Sequence, residues 1–268
     1  MKNQVAIIGY GALGKILTEV ILTKLSEQYQ IAGIWSRSIE KYKEELNALN
    51  VSCYSSLEEL LNGPADYVVE IASVQAALSY GEQILNARKH LILTSVGALA
   101  DDEFSSRLKA ASVHANKKVY VTSGAVGGFD IFRTIALMGN TDAQIETWKS
   151  PASLVGAPGL QGKTLSDTEE ETVFNGTARE AIAGFPKNVN VAVASASASV
   201  GVDHMKTIIT STPGKSTNTH KITVKNDSVT ATLEVSSRPD ARNPKSSVVT
   251  AWSVASLLAN LSSPVEFY

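Results

Sequence analysis

Val5-Ala6-Ile7-Ile8 runs directly into Gly9-Tyr10-Gly11-Ala12-Leu13-Gly14, and Lys15-Ile16-Leu17-Thr18-Glu19-Val20 follows with helical spacing. An apolar strand, a G-x-G-x-x-G turn and a helix in immediate succession form the dinucleotide-binding fingerprint. Each glycine has a physical task. Gly9 permits the tight turn out of the strand, Gly11 lets a pyrophosphate approach bare backbone, and Gly14 lets helix and strand pack closely. The first N–H groups of the helix, at Ala12 and Leu13, have no intrahelical acceptor and face the phosphates.

Working outward, Ile31-Ala32-Gly33-Ile34-Trp35 predicts a second strand. The residue ending that strand meets the adenosine ribose, where an acid favours NAD and a nearby arginine accommodates the 2′-phosphate of NADP. Here Ser36-Arg37-Ser38 stands at the strand end and no acid comes before Glu40. Ser36 and Arg37 are therefore expected cofactor contacts, with NADP, or both NADP and NAD, accepted.

The alternation continues. Helical spacing covers Ile39 to Leu49, Val51-Ser52-Cys53-Tyr54 is extended, and Ser56 with Glu59 fits a capping box. Asp66 to Ala72 predicts a buried strand, Val74 to Ala87 a helix, His90 to Thr94 a strand, Asp101 to Asn116 a helix and Val119 to Val121 a strand. Strands and helices alternating in this way imply a doubly wound parallel sheet, whose ligands sit beyond the carboxyl ends of the strands. Those ends carry Gly9, Ser36, Ala72-Ser73, Ser95-Val96-Gly97-Ala98 and Ser123-Gly124-Ala125, a small and polar rim suited to a cofactor.

The texture changes after residue 124. Ile145 to Trp148, Glu171 to Phe174, Lys206 to Ser211, His220 to Lys225 and Val229 to Val235 are β-like, with helices at Ala178 to Ala183 and about Asn188 to Ser199. The pattern predicts an α+β domain with a mixed or antiparallel sheet and helices on one face. The run Ala194 to Ser199 alternates alanine and serine, a small-residue helix face. Ser246 to Leu261 predicts an amphipathic helix. The expected organisation is a dinucleotide-binding domain over 1–124, to which a C-terminal segment 243–268 returns, and a substrate and dimerisation domain over 125–242.

Composition sets outer bounds. The 268 residues suffice for one or two domains, and a net charge of −2 gives no reason to expect nucleic acid or an anionic membrane as partner. No apolar run reaches the ~20 residues of a membrane span, and Met1-Lys2-Asn3-Gln4 is followed at once by a strand. A soluble, cytoplasmic protein is expected. The sole cysteine, Cys53, excludes an intrachain disulfide and a cysteine metal cluster, and no metal is expected.

Hydride chemistry needs a proton donor or acceptor beside the reacting carbon, and histidine suits it near neutrality. Of four histidines, His90 starts a strand, His114 lies in a polar helix and His204 opens a strand beside Asp203. His220 follows Thr217-Asn218-Thr219, so Asn218 is positioned to orient it or a substrate carboxylate. Two polar stretches add candidates. Phe185-Pro186-Lys187-Asn188-Val189-Asn190 sets two asparagines and a lysine at a helix start, more than a cap requires. Arg242-Asn243-Pro244-Lys245-Ser246-Ser247 places cations and hydroxyls before the last helix, an expected carboxylate or phosphate site.

Together these segments resemble the L-aspartate dehydrogenase family. The resemblance rests on GYGALG at 9–14, DYVVEIAS at 66–73, SVGALADDE at 95–103, SGAVGGFD at 123–130, VFNGTAREAIAGFPKNVNVA at 173–192, NTH at 218–220 and NPKSS at 243–247. It covers nearly the whole chain, and the FPKNVNVA stretch is its most specific part. It implies a two-domain NAD(P)-dependent enzyme, homodimeric through its second domain, that interconverts L-aspartate with iminosuccinate, or with oxaloacetate and ammonia, and feeds NAD synthesis. It places the catalytic histidine on His220 and cofactor contacts on Ala125 and Asn190. Thr212-Pro213 departs from the usual Asp-Pro, and NPKSS from the usual NPKTS. Lys187, Asn218, Lys245, Ser246 and Ser247 are the expected groups for the dicarboxylate, whose charges need donors and cations. The alternatives are a reductase of another amino or oxo dicarboxylate and a non-catalytic NAD(P)-binding sensor.

Overall fold

A computed structural model of the chain describes residues 2–186, 189–240 and 243–267, with the side chains of 239–240 and 243–246 left outside that description. The chain divides into two compact units, Met1–Thr122 with Thr250–Tyr268, and Ser123–Val249.

The first unit is a parallel sheet with helices between successive strands. Its elements are β1 (Asn3–Ile8), α1 (Ala12–Lys24), β2 (Tyr29–Trp35), α2 (Lys43–Ala48), α3 (Leu57–Asn62), β3 (Tyr67–Glu70), α4 (Val74–Asn86), β4 (His90–Leu93), α5 (Asp102–Ala115) and β5 (Val119–Val121). Strand order is β2-β1-β3-β4-β5, all parallel. The order reverses at β1, so the switch point, where such sheets bind ligands, lies between the carboxyl ends of β1 and β3. β1 is an interior strand, and Val5 to Ile8 are buried on both faces, as a covered parallel strand requires.

Local sequence explains the helices. In α1, Ile16, Leu17, Val20 and Ile21 bury one stripe and leave Glu19 outward. The Ser73 hydroxyl accepts from Ala76 N–H and starts α4, which buries Ala77, Gly81, Ile84 and Leu85. Asp101 caps α5 in the same way through Phe104 N–H at 2.8 Å. α4 and α5 pack together, with Phe104 and Leu108 against Gly81, and share a core with Ile8, Val68, Leu91 and Leu93. The extended Val51-Tyr54 stretch makes a single β-bridge, Ile34 to Cys53, rather than a strand, and Cys53 is half-buried.

The second unit contains α6 (Phe129–Met138), β6 (Asp142–Lys149), α7 (Pro151–Leu154), β7 (Glu171–Thr177), α8 (Ala178–Gly184), α9 (Asn190–Ser197), β8 (Lys206–Ser211), β9 (Asn218–Lys225), β10 (Thr230–Ser237), β11 (Pro239–Asp240) and β12 (Asn243–Ser247). Its main sheet runs β10-β9-β6-β8-β7, with β6 and β8 parallel and the other neighbours antiparallel. It is therefore mixed. α6 packs on β9, α8 on β8 and α9 on β6. α9 is buried continuously from Ala192 to Ala196, which its run of small side chains permits.

Three expectations need correction. α6 belongs to no element expected from sequence: its aromatic and β-branched residues mask the Phe132 and Ile135 spacing that buries it. The last helix, α10 (Val249–Leu261), begins after residues 243–247, which instead form β12 paired with β11. Ser246 and Ser247 are strand residues, so they do not make a helix-start anion site, and Ser247 Oγ accepts from Val249 N–H at 3.2 Å. His204 lies in a turn before β8 rather than opening it. In the first unit the Tyr29 hydroxyl donates to the Leu258 carbonyl at 2.8 Å and fastens α10. No helix among the described residues is long and apolar enough to cross a membrane.

Candidate cofactor turn and active site

The glycine turn sits at the switch point of the parallel sheet. Gly9 adopts φ +109°, and a Cβ there would lie 2.8 Å from the Ile71 carbonyl oxygen. A Cβ on Gly14 would lie 2.2 Å from the Gly9 carbonyl oxygen, so helix and turn touch through backbone alone. Gly11 is different. It is extended at φ −80°, and a Cβ there would meet nothing within 4 Å. Protein packing does not need that glycine, whereas a ligand approaching the backbone does. No side chain caps α1 and no acid lies in its first turn, so Ala12 and Leu13 present N–H groups toward an anion.

The neighbouring rim is held by a buried carboxylate. Glu70 Oε1 accepts from Ala72 N–H at 2.9 Å, Ser73 N–H at 3.0 Å and the Ser95 hydroxyl at 2.9 Å, while Oε2 accepts from Ser95 N–H at 3.1 Å. Four donors on one side chain fix the ends of β3 and β4 relative to each other. Burial nonetheless dominates and pushes the Glu70 carboxyl above its usual range. At the end of β2, Ser36 Oγ is buried without a hydrogen-bond partner, and Arg37 is exposed beside it. An orphaned hydroxyl and an open backbone cradle are what a dinucleotide would complete.

In the second unit the alternation of β6 decides the site. Ala143, Ile145, Thr147 and Lys149 face inward, while Gln144, Glu146 and Trp148 stay half-exposed. Register then assembles rows across the sheet. Leu233, Ile222 and Ile145 make an apolar row with Thr207. The next row holds Val235, His220, Thr147 and Ile209. One step further, Ser237 pairs with Asn218 and Lys149 with Ser211. Asn218 and Lys149 stand one position beyond the registered pair Thr219 and Trp148 and close that last row. The inward face is thus apolar at one end and polar at the other.

His220 is 3 % exposed, and its Nδ1 lies 3.0 Å from Thr147 Oγ1. Burial, with a contribution from the Lys149 charge, lowers its pKa to about 3, so the resting imidazole is neutral. Lys149 is 4 % exposed and its ammonium makes no hydrogen bond or ion pair among the described residues; burial lowers its pKa to about 8. Ser211 Oγ and Ser237 Oγ are buried without partners among the described residues. Lys89 supplies the contrast. It is also buried, but its ammonium donates to the carbonyls of Gly63 and Ala65 at 2.7 and 2.8 Å. A structural lysine finds acceptors; the Lys149 ammonium has none among the described residues.

The structure thus brings His220 and Asn218 onto one sheet face and adds Thr147, Lys149, Ser211 and Ser237, none of which stood out in the sequence. The signal was present: polar residues occupy the inward positions 147 and 149 of an alternating strand. Asn190 is the first residue of α9 and half-buried, and Ala125 is buried. Lys187 and Asn188 lie outside the described residues, as does Arg242; Lys245 and Ser246 are described in backbone only. His204 and His114 are exposed, and Asp203 beside His204 is engaged by Arg179. His90 stacks on Tyr67 at 5.2 Å and its Nδ1 accepts from Lys118 N–H, a packing role. Thr212 donates to Glu170 at 2.8 Å. A cavity of about 820 Å³ opens at the far end of the same sheet, between Gln144, His204, Lys206 and Lys225. Its polar walls are exposed or half-exposed, and His220 takes no part in it. No group of three or more His, Cys, Asp or Glu among the described residues is placed to hold a metal.

Both units have known counterparts. Residues 130–261 match the family described as aspartate dehydrogenase, C-terminal, and residues 9–122 match the homoserine dehydrogenase NAD-binding domain. An L-aspartate dehydrogenase of Methanococcus maripaludis is 32 % identical over 264 residues, 98 % of each chain. Another from Methanosarcina barkeri is 37 % identical over 214 residues, 79 % of each. The crystal structure of aspartate dehydrogenase from Thermotoga maritima superposes over the full length of both chains with a TM-score of 0.77 at 26 % identity.

Two outcomes follow from this geometry. Gly14→Ala forces backbone apart and costs about 1–3 kcal/mol of stability, read in denaturant melts. Gly11→Ala leaves the melt unchanged and weakens cofactor binding about tenfold or more, read by titration; equal behaviour of the two variants would contradict the assignment. The second outcome concerns pH. Folding lowers the Lys149 pKa from 10.5 to about 8, so the stability linked to its neutral form is present at high pH and lost as pH falls to about 8. Lys149→Met therefore raises stability at neutral pH by about 3 kcal/mol, and the gain fades as pH rises from about 8 toward 10.5. A pH-independent difference would contradict the buried unpaired charge.

Proposed function

The chain belongs to the L-aspartate dehydrogenase family and is an NAD(P)-dependent amino-acid dehydrogenase that oxidises L-aspartate, and we propose that His220 is the acid–base group of this reaction. The observation that carries the proposal is a buried, neutral imidazole with Nδ1 engaged by Thr147 at the polar end of the sheet face. Oxidation removes a hydride from Cα and a proton from the amino nitrogen, leaving iminosuccinate; water then releases oxaloacetate and ammonia. NAD or NADP, when bound, would supply the hydride acceptor for this direction and the hydride donor for the reverse.

The remaining tasks fall to side chains and backbone. In the tautomer whose Nδ1–H donates to Thr147 Oγ1, Nε2 of His220 is the nitrogen that accepts the proton from the substrate amine or from the water attacking the imine. A neutral resting state suits a base. Asn218 shares its face and orients the substrate. Lys187 and Lys245 add charge for the carboxylates. Gly9, Gly11, Ala12, Leu13 and Gly14 hold the pyrophosphate, Ser36 and Arg37 the adenosine ribose, Ala72, Ser73 and Ala125 the approach to the nicotinamide, and Asn190 its amide. The exposed Arg37 and the absence of an acid at the end of β2 favour acceptance of NADP alongside NAD. The second unit serves as substrate and dimerisation domain of a cytoplasmic homodimer, whose iminosuccinate feeds NAD synthesis. Support for these roles comes from the resemblance and from the open, half-exposed outer face of the mixed sheet.

His220→Ala is expected to reduce turnover of L-aspartate by on the order of 10²–10⁴ while the cofactor dissociation constant stays the same. Steady-state kinetics with parallel cofactor titration checks this, and undiminished turnover removes His220 from the chemistry.

A further inference from the structure

The last polar row of the sheet has a composition that folding alone does not explain. Ser237, Asn218, Lys149 and Ser211 lie side by side across β10, β9, β6 and β8. All four are buried. Two hydroxyls have no partner, and the ammonium has no acceptor or counter-ion among the described residues. Glu171 pairs with Ser211 across the sheet edge, but its carboxylate is committed to Lys163 and to Ser166 N–H. The row therefore offers a cation, an amide and two hydroxyl donors, with no anion supplied by the described residues. Burying an unpaired ammonium and leaving hydroxyls unsatisfied is costly, and it persists where a ligand supplies the missing charge.

Resting on the aspartate reading above, we infer that Lys149, with Asn218, Ser211 and Ser237, forms the subsite for the substrate carboxylate remote from the reacting carbon. Position argues for the remote group. His220 belongs to the neighbouring row, two residues further along β9 than Asn218, so the donor row is displaced along the strands by about 7 Å from the group that handles the amine. A carboxylate has acceptor capacity for several donors at once, matching an ammonium flanked by hydroxyls. Its negative charge also offsets the Lys149 charge felt by His220, so occupancy of the subsite makes the imidazole a better base. Lys149 is thereby a specificity-determining residue: it favours a dicarboxylic amino acid over one with a neutral side chain.

The test compares wild type, Lys149→Met and Lys149→Arg with L-aspartate and L-asparagine, alongside succinate binding to each protein by calorimetry. Lys149→Met is expected to raise KM for aspartate about 30-fold or more, to leave KM for the cofactor unchanged and to abolish the preference for aspartate over asparagine. Lys149→Arg restores part of that preference, which a merely structural role would not do. Equal losses with both amino acids, or an unchanged preference, overturn the subsite. Succinate binding separates the two levels of the argument. If wild type turns over no aspartate, the dehydrogenase reading fails; succinate binding that is lost in Lys149→Met then still upholds the subsite, whereas equal binding or none overturns it.

Discussion

An ammonium buried with no partner among the described residues is the constraint around which the second unit is arranged. Desolvating such a charge costs several kcal/mol, a large share of the stability of an ordinary domain. Lys149 bears that cost, and its consequences extend through the sheet. Its charge adds to burial in keeping His220 neutral. The apolar rows of Ile145, Ile222 and Val224 carry the packing, so the polar end is free to hold groups that do nothing for stability. Lys89, satisfied by two carbonyls, shows how the same chain treats a lysine whose purpose is structural.

The first unit solves a different problem, leaving backbone open at a helix start, where a pyrophosphate is proposed to sit. Gly14 against Gly9 lets α1 start at the strand end, and Gly9 in turn lies against the end of β3 at the switch point. Glu70 ties that end to β4 through Ala72, Ser73 and Ser95. The rim is therefore set before any cofactor arrives, which lowers the entropy lost on binding. Gly11 stands apart because a Cβ there would meet no other described part of the chain within 4 Å.

The parallel sheet was legible because its signals are local: an apolar run, a glycine turn and an amphipathic stripe each fall within a few residues. The mixed sheet was legible as strands but not as rows, since a row depends on register between segments as distant as 147 and 220. That is why the sequence singles out His220 and Asn218 as candidates but not Lys149, Ser211 and Ser237, which stand beside them on the same sheet face. Residues 243–247 misled for a related reason. Proline, lysine and serines before an apolar stripe imitate a helix start, but pairing with residues 239–240 draws them into a strand. Glu70 escaped notice because a carboxylate ending a buried strand reveals its four donors only in three dimensions.

The proposed roles divide between the two units. One offers a backbone cradle for a dinucleotide, and the other a neutral imidazole next to a buried cation that awaits an anion. That division accounts for a dehydrogenase of an acidic amino acid better than for a passive binder, which has no use for the polar row. The most direct test follows the hydride itself. Purified protein is given L-aspartate deuterated at Cα and oxidised NAD or NADP, and the reduced cofactor is examined by mass spectrometry and NMR. The account predicts that the label appears at C4 of the nicotinamide ring. Reduced cofactor without label, or label released to water, would contradict it.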